Sequence, residues 1–303
     1  MNDTERIERI EKLKRRRRAL VLVHNYQPGE IHRIADIAGD SLELAREAAR
    51  ADADVIVFCG VHFMAETAAI LAPDKIVLAP RPEAGCPMAD MADGDGVARL
   101  KAEHPGAAAI CYVNSTAAVK AQCDLCCTSA NAERVVASVD PSREVIFVPD
   151  QFLGDFVERR SGRRLVRWPG YCPVHARIRA ADIERARAQF PRAELWAHPE
   201  CRPEVAEVVD FVLSTGGMVR RARETDAAVV VVGTEVGMLY RLRAERPDVT
   251  FLPATEQAIC VDMKLTRLED VERSLERMET VIRVPEPTRG RAAAALERML
   301  ELS

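Results

Sequence analysis

Three cysteines, Cys86, Cys172 and Cys260, follow one another at steps of 86 and 88 residues. Other landmarks keep the same step. Short apolar runs that end in a polar residue close at His24, Tyr112 and His198, which are 88 and 86 residues apart. Such a period is longer than the roughly 20–50 residues of solenoid repeats. It predicts three copies of a small α/β unit, each delivering one thiol. Three units arranged about a common axis bring three thiols to one centre and leave a coordination position of a bound metal free.

A chain of 303 residues is long enough for two or three domains with real cores. Its net charge of −4 provides no general basic field for nucleic acid or membrane. The run from Lys12 to Arg18 follows Glu5, Glu8 and Glu11 at helical spacing, which reads as a solvated first helix. No apolar stretch reaches the roughly 20 residues of a membrane span, and the polar N-terminus is unlike a signal peptide; a cytoplasmic protein is expected. Nine cysteines in such a chain favour metal or redox chemistry over disulfides.

Each third alternates strands with helices. Strands are predicted over 19–24, 55–59 and 75–79, then 107–113, 124–127 and 144–148, then 193–197, 211–214 and 227–232. Helices are predicted over 41–50, 63–71, 116–121, 131–138, 204–209 and 218–224, with two more over 268–278 and 291–302. Short β-branched runs between helical patterns imply parallel sheets buried on both faces. The expected fold is α/β: three similar αβα sandwich domains in a pseudo-threefold arrangement, with boundaries at 1–87, 88–173 and 174–265. Helices of 266–303 pack back on the first domain. Ligands of such sheets gather beyond the carboxyl ends of the strands. The groups standing there are His24-Asn25-Tyr26, Tyr112-Val113-Asn114, His198-Pro199-Glu200, Thr128-Ser129 and Ser214-Thr215-Gly216-Gly217.

Small, turn-forming neighbours (Gly85, Pro87, Gly170, Pro173) suit loops in which Cys86 and Cys172 point at a shared centre. Soft thiolates favour an iron–sulfur cluster or zinc. Three ligands on a four-iron cluster leave one iron open as a Lewis acid. The pair Cys123-x2-Cys126 has no second pair at zinc-site spacing, and Cys59 and Cys111 lie within or at the ends of strands; all four read as packing residues. His175, three residues after Cys172, reads as a local hydrogen-bonding partner.

Longer strings point to a family. His24-Asn25-Tyr26-Gln27, Gly39-Asp40-Ser41, Gly60 through Thr67, Ala84-Gly85-Cys86, Tyr112-Val113-Asn114, Cys127 through Asn131, Trp168 through His175, His198-Pro199-Glu200-Cys201, Ser214 through Met218 and Met263-Lys264 stand in one order from about Ile7 to Met278. In this the chain resembles the quinolinate synthases of de novo NAD biosynthesis. The resemblance implies one [4Fe–4S] cluster on Cys86, Cys172 and Cys260. It also implies condensation of iminoaspartate with dihydroxyacetone phosphate to quinolinate, phosphate and water. Substrate-binding positions map onto His24, Ser41, Tyr112, Val113, Asn114, Ser129, His198, Pro199, Glu200 and Thr215, and Tyr26 matches a further active-site tyrosine. Tyr26, His24, Tyr112, His198 and Glu200 form the expected acid–base set. An aspartate oxidase or dehydrogenase that makes the imine is the implied partner. The sequence departs from the family pattern at Arg81, where an acidic residue is expected. The rival readings are an aconitase-type hydro-lyase or isomerase, which also uses a three-cysteine cluster, and a cluster-based redox sensor.

Overall fold

Short β-branched runs separated by helices form three all-parallel, four-stranded sheets in the computed structural model, which describes residues 2–303. The first sheet holds β1 (Ala19–His24), β2 (Ile37–Gly39), β3 (Val55–Cys59) and β4 (Ile76–Leu78). The second holds β5 (Ala108–Tyr112), β6 (Leu125–Cys127), β7 (Val145–Val148) and β8 (Leu165–Arg167). The third holds β9 (Glu194–Ala197), β10 (Phe211–Val212), β11 (Val229–Gly233) and β12 (Thr250–Pro253). Every sheet has the same strand order: second, first, third, fourth. Helices α1 (Asp3–Arg17), α2 (Gly29–His32), α3 (Ser41–Arg50) and α4 (His62–Leu71) accompany the first sheet. Helices α5 (Gly94–Glu103), α6 (Ala117–Lys120), α7 (Ala132–Ala137) and α8 (Gln151–Ser161) accompany the second. Helices α9 (Ala180–Gln189), α10 (Pro203–Ala206), α11 (Thr215–Glu224) and α12 (Met238–Glu245) accompany the third, and α13 (Leu268–Arg277) and α14 (Thr288–Glu301) form the tail.

The repeat is visible in its hydrogen bonds. Asp36, Asp124 and Asp210 each precede the second strand of their sheet. Their carboxylates accept from the N–H of Val21, Ala109 and Leu195 at 2.7, 2.8 and 2.8 Å. Each of these bonds clips an edge strand onto the central first strand. The sequence pattern predicts three strands per unit, and the structure has four. Those it misses, β2, β8 and β12, are edge strands of three or four residues that pair on one side only. An edge strand needs no two-sided apolar run, and β12 even ends in proline. Helices α2, α5, α8, α9 and α12 are likewise beyond the prediction.

Both faces of the first sheet are covered. Val21, Val23, Val55 and Val57 pack with Ile10, Leu13, Val271 and Leu275 of α1 and α13. Leu22 and Ile56, pointing the other way, join a core shared with Trp196, Val230 and Phe251 of the third sheet. The tail helix α14 lies across α4, α6 and β6, so it spans the first and second units. In α1, most of the basic run is exposed as the sequence implies, but some cations of the helix pair within the fold. Arg9 pairs with Glu272 and Glu276 of α13 at 2.9 and 2.6 Å, and buried Lys14 pairs with Asp36 at 2.8 Å. Among the described residues, no helix is long and apolar enough to cross a membrane.

Candidate active site

The carboxyl ends of the three first strands face one cavity with about 70 Å³ of space open to water. His24 and Tyr26 reach it from β1, Tyr112 and Asn114 from β5, and His198 and Glu200 from β9. Ser41, Ser129 and Thr215 line it too, and they keep the same step of 88 and 86 residues. Ser41 and Thr215 are the first residues of α3 and α11, whose N-caps are Asp40 and Ser214. Hydroxyls and free backbone N–H groups at such helix starts suit anions. Two predicted positions do not line this cavity with their side chains: Val113 borders a small neighbouring void, and Pro199 is buried in the turn after β9.

Two histidines have equivalent local geometry. Nδ1 of His24 accepts from Tyr26 N–H at 3.2 Å, and Nδ1 of His198 accepts from Glu200 N–H at 3.3 Å. In the neutral rings, the proton therefore sits on Nε2. The Nε2 of His198 meets Ser129 Oγ at 3.3 Å. Burial pulls both histidines down to about 3, so both are neutral hydrogen-bond donors at working pH.

Glu200 is the polar hub. Its Oε1 accepts from Tyr112 OH at 2.5 Å and from Asn114 Nδ2 at 3.3 Å, and its Oε2 lies 2.8 Å from His175 Nδ1. Burial alone would push this carboxyl up. His175, His198 and the bonds from His175 and Tyr112 more than offset it, holding Glu200 ionised below the usual carboxylate range. Burial, with Glu200 next, pushes Tyr26 and Tyr112 well above the usual phenol range, so both remain protonated donors. The hydroxyls of Tyr26 and Thr234 lie 2.6 Å apart, and Thr234 lies 2.8 Å from His175 Nε2.

Sequence reasoning gave His175 only a local role. Its ring stacks on His198 with centroids 4.8 Å apart, and its Nδ1 lies 3.1 Å from Cys172 Sγ as well as against Glu200. Ligating atoms of Cys172, His175 and Glu200 all lie within 4.8 Å of one another. The Cys172-x2-His175 spacing was the available signal. A second unforeseen group is buried Glu235. It accepts from Cys260 N–H at 3.2 Å, Gly237 N–H at 2.8 Å and Lys264 Nζ at 2.9 Å, and Lys264 also bonds the Tyr26 carbonyl.

Of nine free cysteines, six are buried; the three that are partly exposed are Cys86, Cys172 and Cys260, and all three line the cavity. Their loops are cross-tied. Gly85 N–H donates to Asp262 at 3.0 Å, joining the first and third thiol loops. Gln151 N–H donates to the Gly170 carbonyl at 2.8 Å, holding the second on the end of β7. Burial pushes Cys86 up to about 12 and also raises Cys172 and Cys260, so ligation must displace thiol protons. Three soft donors converging from three units, beside a carboxylate and a histidine, suit a thiolate-held metal centre.

Residues 8–301 match the family model described as Quinolinate synthetase A protein. The chain is 58% identical over 294 residues to a quinolinate synthase of Dehalococcoides mccartyi, covering 97% of both chains. It is 51% identical to one of Geobacter metallireducens, again over 97% of both. Its identity to quinolinate synthase 2 of Methanosarcina acetivorans is 49%, over the whole of this chain and 97% of the relative.

Proposed function

The chain belongs to the quinolinate synthase family, and from that premise we propose that it condenses iminoaspartate with dihydroxyacetone phosphate to quinolinate, phosphate and water. The observation that carries the reading is the placement of the only partly exposed thiols of the described chain, one per sheet unit, on the cavity that also holds Glu200. We take Cys86, Cys172 and Cys260 as the residues that hold a [4Fe–4S] cluster. When bound, that cluster supplies an iron with an open position, a Lewis acid toward a substrate oxygen. The overall reaction needs no net oxidation or reduction.

The chain's own groups divide the remaining work. Ser41, Ser129 and Thr215 offer hydroxyls to the carboxylates and the phosphate, with the first-turn N–H groups of α3 and α11 beside Ser41 and Thr215. His24 and His198, fixed with Nε2–H donors, orient a substrate carbonyl or carboxylate. Glu200, ionised and buried, is the base for a carbon-bound proton. Tyr112 and Asn114 hold that carboxylate in place, and Tyr26 lies within reach of the His175–Thr234 relay. Val113 and Pro199 enter through the backbone of the strand-end turns. We take the domains as 1–87, 88–173 and 174–265, one for each sheet, with the tail 266–303 assigned to the first. The nine free thiols suit a reducing cytoplasm, and the imine comes from an aspartate-oxidising or -dehydrogenating partner.

Anaerobic expression with counting of iron and sulfide tests the reading. Cys86→Ala, Cys172→Ala and Cys260→Ala should each abolish the cluster and quinolinate formation, while Cys126→Ala should leave the iron content intact. A protein that holds one zinc at Cys172, His175 and Glu200 and no sulfide overturns it. Turnover of a simple hydroxy acid without a triose phosphate favours the hydro-lyase reading instead.

A further inference from the structure

Strand β11 runs on into Thr234 and Glu235, and these consecutive residues hold opposite ends of Tyr26 from the first unit. The Thr234 hydroxyl lies 2.6 Å from the Tyr26 hydroxyl. Glu235 acts through a cation. Its Oε2 lies 2.9 Å from Lys264 Nζ, and the same ammonium donates to the Tyr26 carbonyl. The chemistry above gives neither Glu235 nor Lys264 a task.

The pair is tightly built in. The Glu235 side chain is 0% exposed, and besides Lys264 it accepts from Cys260 N–H at 3.2 Å and Gly237 N–H at 2.8 Å. A carboxylate taken out of water needs such donors, and one of them belongs to the third thiol loop. Gly237 shows how closely the parts meet. A Cβ there would stand 2.5 Å from both Lys264 Nζ and the Tyr26 carbonyl oxygen, and 2.7 Å from Glu235 Oε2. Its φ of −59° and ψ of −25° suit any residue, so space and not backbone conformation excludes a side chain. Next to this contact, Gln27 Nε2 meets Met263 Sδ at 3.4 Å, and the His32 ring stacks on Tyr240 with centroids 5.1 Å apart. Residues 26–32 of the first unit thereby dock on the third.

We propose that Glu235 and Lys264 are a positioning pair that sets Tyr26 of the first unit against the Cys260 loop of the third. Glu235 lines the cavity, but both its oxygens are engaged by these donors. The effect of the pair on turnover rests on the synthase reading. The tie between the units does not.

Amide hydrogen exchange of the full-length, anaerobically purified protein reads the tie without turnover. Glu235→Gln and Lys264→Met should each raise exchange by about fivefold or more in residues 258–264 and, across the unit boundary, in residues 24–30. Residues 108–112 of β5 should keep the parental rate. Gly237→Ala, which keeps both charges and forces them apart with one methyl group, should do the same, and it decides if the charge variants do not fold. In turnover, Glu235→Gln lowers kcat by about ten- to a hundredfold with KM within about twofold, the signature of a misplaced group. Lys264→Met lowers kcat as far and also raises KM for the anionic substrates about tenfold, because it leaves an uncompensated carboxylate on the cavity wall. Adding Glu235→Gln to Lys264→Met returns KM to within about twofold of the parent while kcat stays low, a reversal that general loosening of the fold does not give. Exchange that rises in 258–264 alone overturns the proposal, since Tyr26 is then held without the pair. A Glu235→Gln enzyme with parental kcat, or a double variant whose KM stays raised, overturns it as well. An inactive parent whose exchange responds as described refutes the synthase reading and leaves the tie standing.

Discussion

Glu200→Gln separates the acid–base machinery from the metal-holding residues. The carboxylate receives three donors: Tyr112 OH at 2.5 Å, Asn114 Nδ2 at 3.3 Å and His175 Nδ1 at 2.8 Å. A carboxamide has one acceptor oxygen and one NH2. With its oxygen toward Tyr112 and Asn114, it keeps two of the three bonds and turns its NH2 on His175, so that orientation is favoured. The lost charge-assisted bond is worth about 1.5–3 kcal/mol. Removing a buried charge offsets part of that, so stability changes by no more than about 2 kcal/mol. Turnover has no such offset, because an amide cannot accept the carbon-bound proton, and a positioned base contributes roughly 10²–10⁴-fold. The expected outcome is full iron and sulfide content with kcat reduced by about that factor, read as quinolinate formed anaerobically from imine generated in situ and dihydroxyacetone phosphate. A kcat within about threefold of the parent refutes the base assignment. Loss of iron would instead make Glu200 part of the metal-holding set, through its place beside Cys172 and His175.

Two further outcomes follow from the packing and the buried histidines. A Cβ at Gly170 would stand 2.5 Å from the Pro149 carbonyl oxygen, so Gly170→Ala must push the second thiol loop away from β7. It should cost about 1–3 kcal/mol and lower iron content, and unchanged iron with an unchanged urea midpoint would contradict the close approach. His24 and His198 are held down to about 3 by burial, so the unfolded chain binds more protons than the folded one from about pH 6.5 down to about pH 3. Stability is therefore fully present above that window and falls as pH drops through it, by up to about 1.4 kcal/mol per pH unit for each histidine. Urea midpoints at pH 7.0 and 5.5 check this; a pH-independent midpoint refutes it, and His198→Asn should roughly halve the slope.

How much of this was legible in the sequence depends on the range of the interaction. The central strands of each sheet were readable because burial on both faces demands a continuous apolar run, as in Leu20–Val23, Ala108–Cys111 and Val145–Val148. Edge strands such as Ile37–Gly39 answer to one neighbour and to the clip from Asp36, and leave no such run. The three partly exposed thiols were found by spacing, because equivalent loops of equivalent units fall at one interval. His175 was not assigned to the site because its partners are tertiary. Glu200 is 25 residues away and Thr234 is 59, and neither separation has a local pattern. The network of Glu235 with Cys260, Lys264 and Tyr26 joins the third unit to the first and is invisible for the same reason.

Repetition also explains why the cavity is chemically asymmetric. Copies of one backbone present the same register positions to a common space, so each position is offered three times. At the carboxyl ends of the first strands, His24, Tyr112 and His198 all remain hydrogen-bonding groups of similar size. Two residues further on, the copies diverge into Tyr26, Asn114 and Glu200. In that second set, one member is an anion and the others are neutral donors. With Tyr112 from the first set, Asn114 is bonded directly to the anion, at 3.3 Å against 2.5 Å for the phenol. A buried carboxylate is tolerated only where such donors surround it, and here the sister copies provide them. The same threefold scaffold can thus hold three equal thiols and one unequal base, because the loops kept their residue type while the strand ends did not.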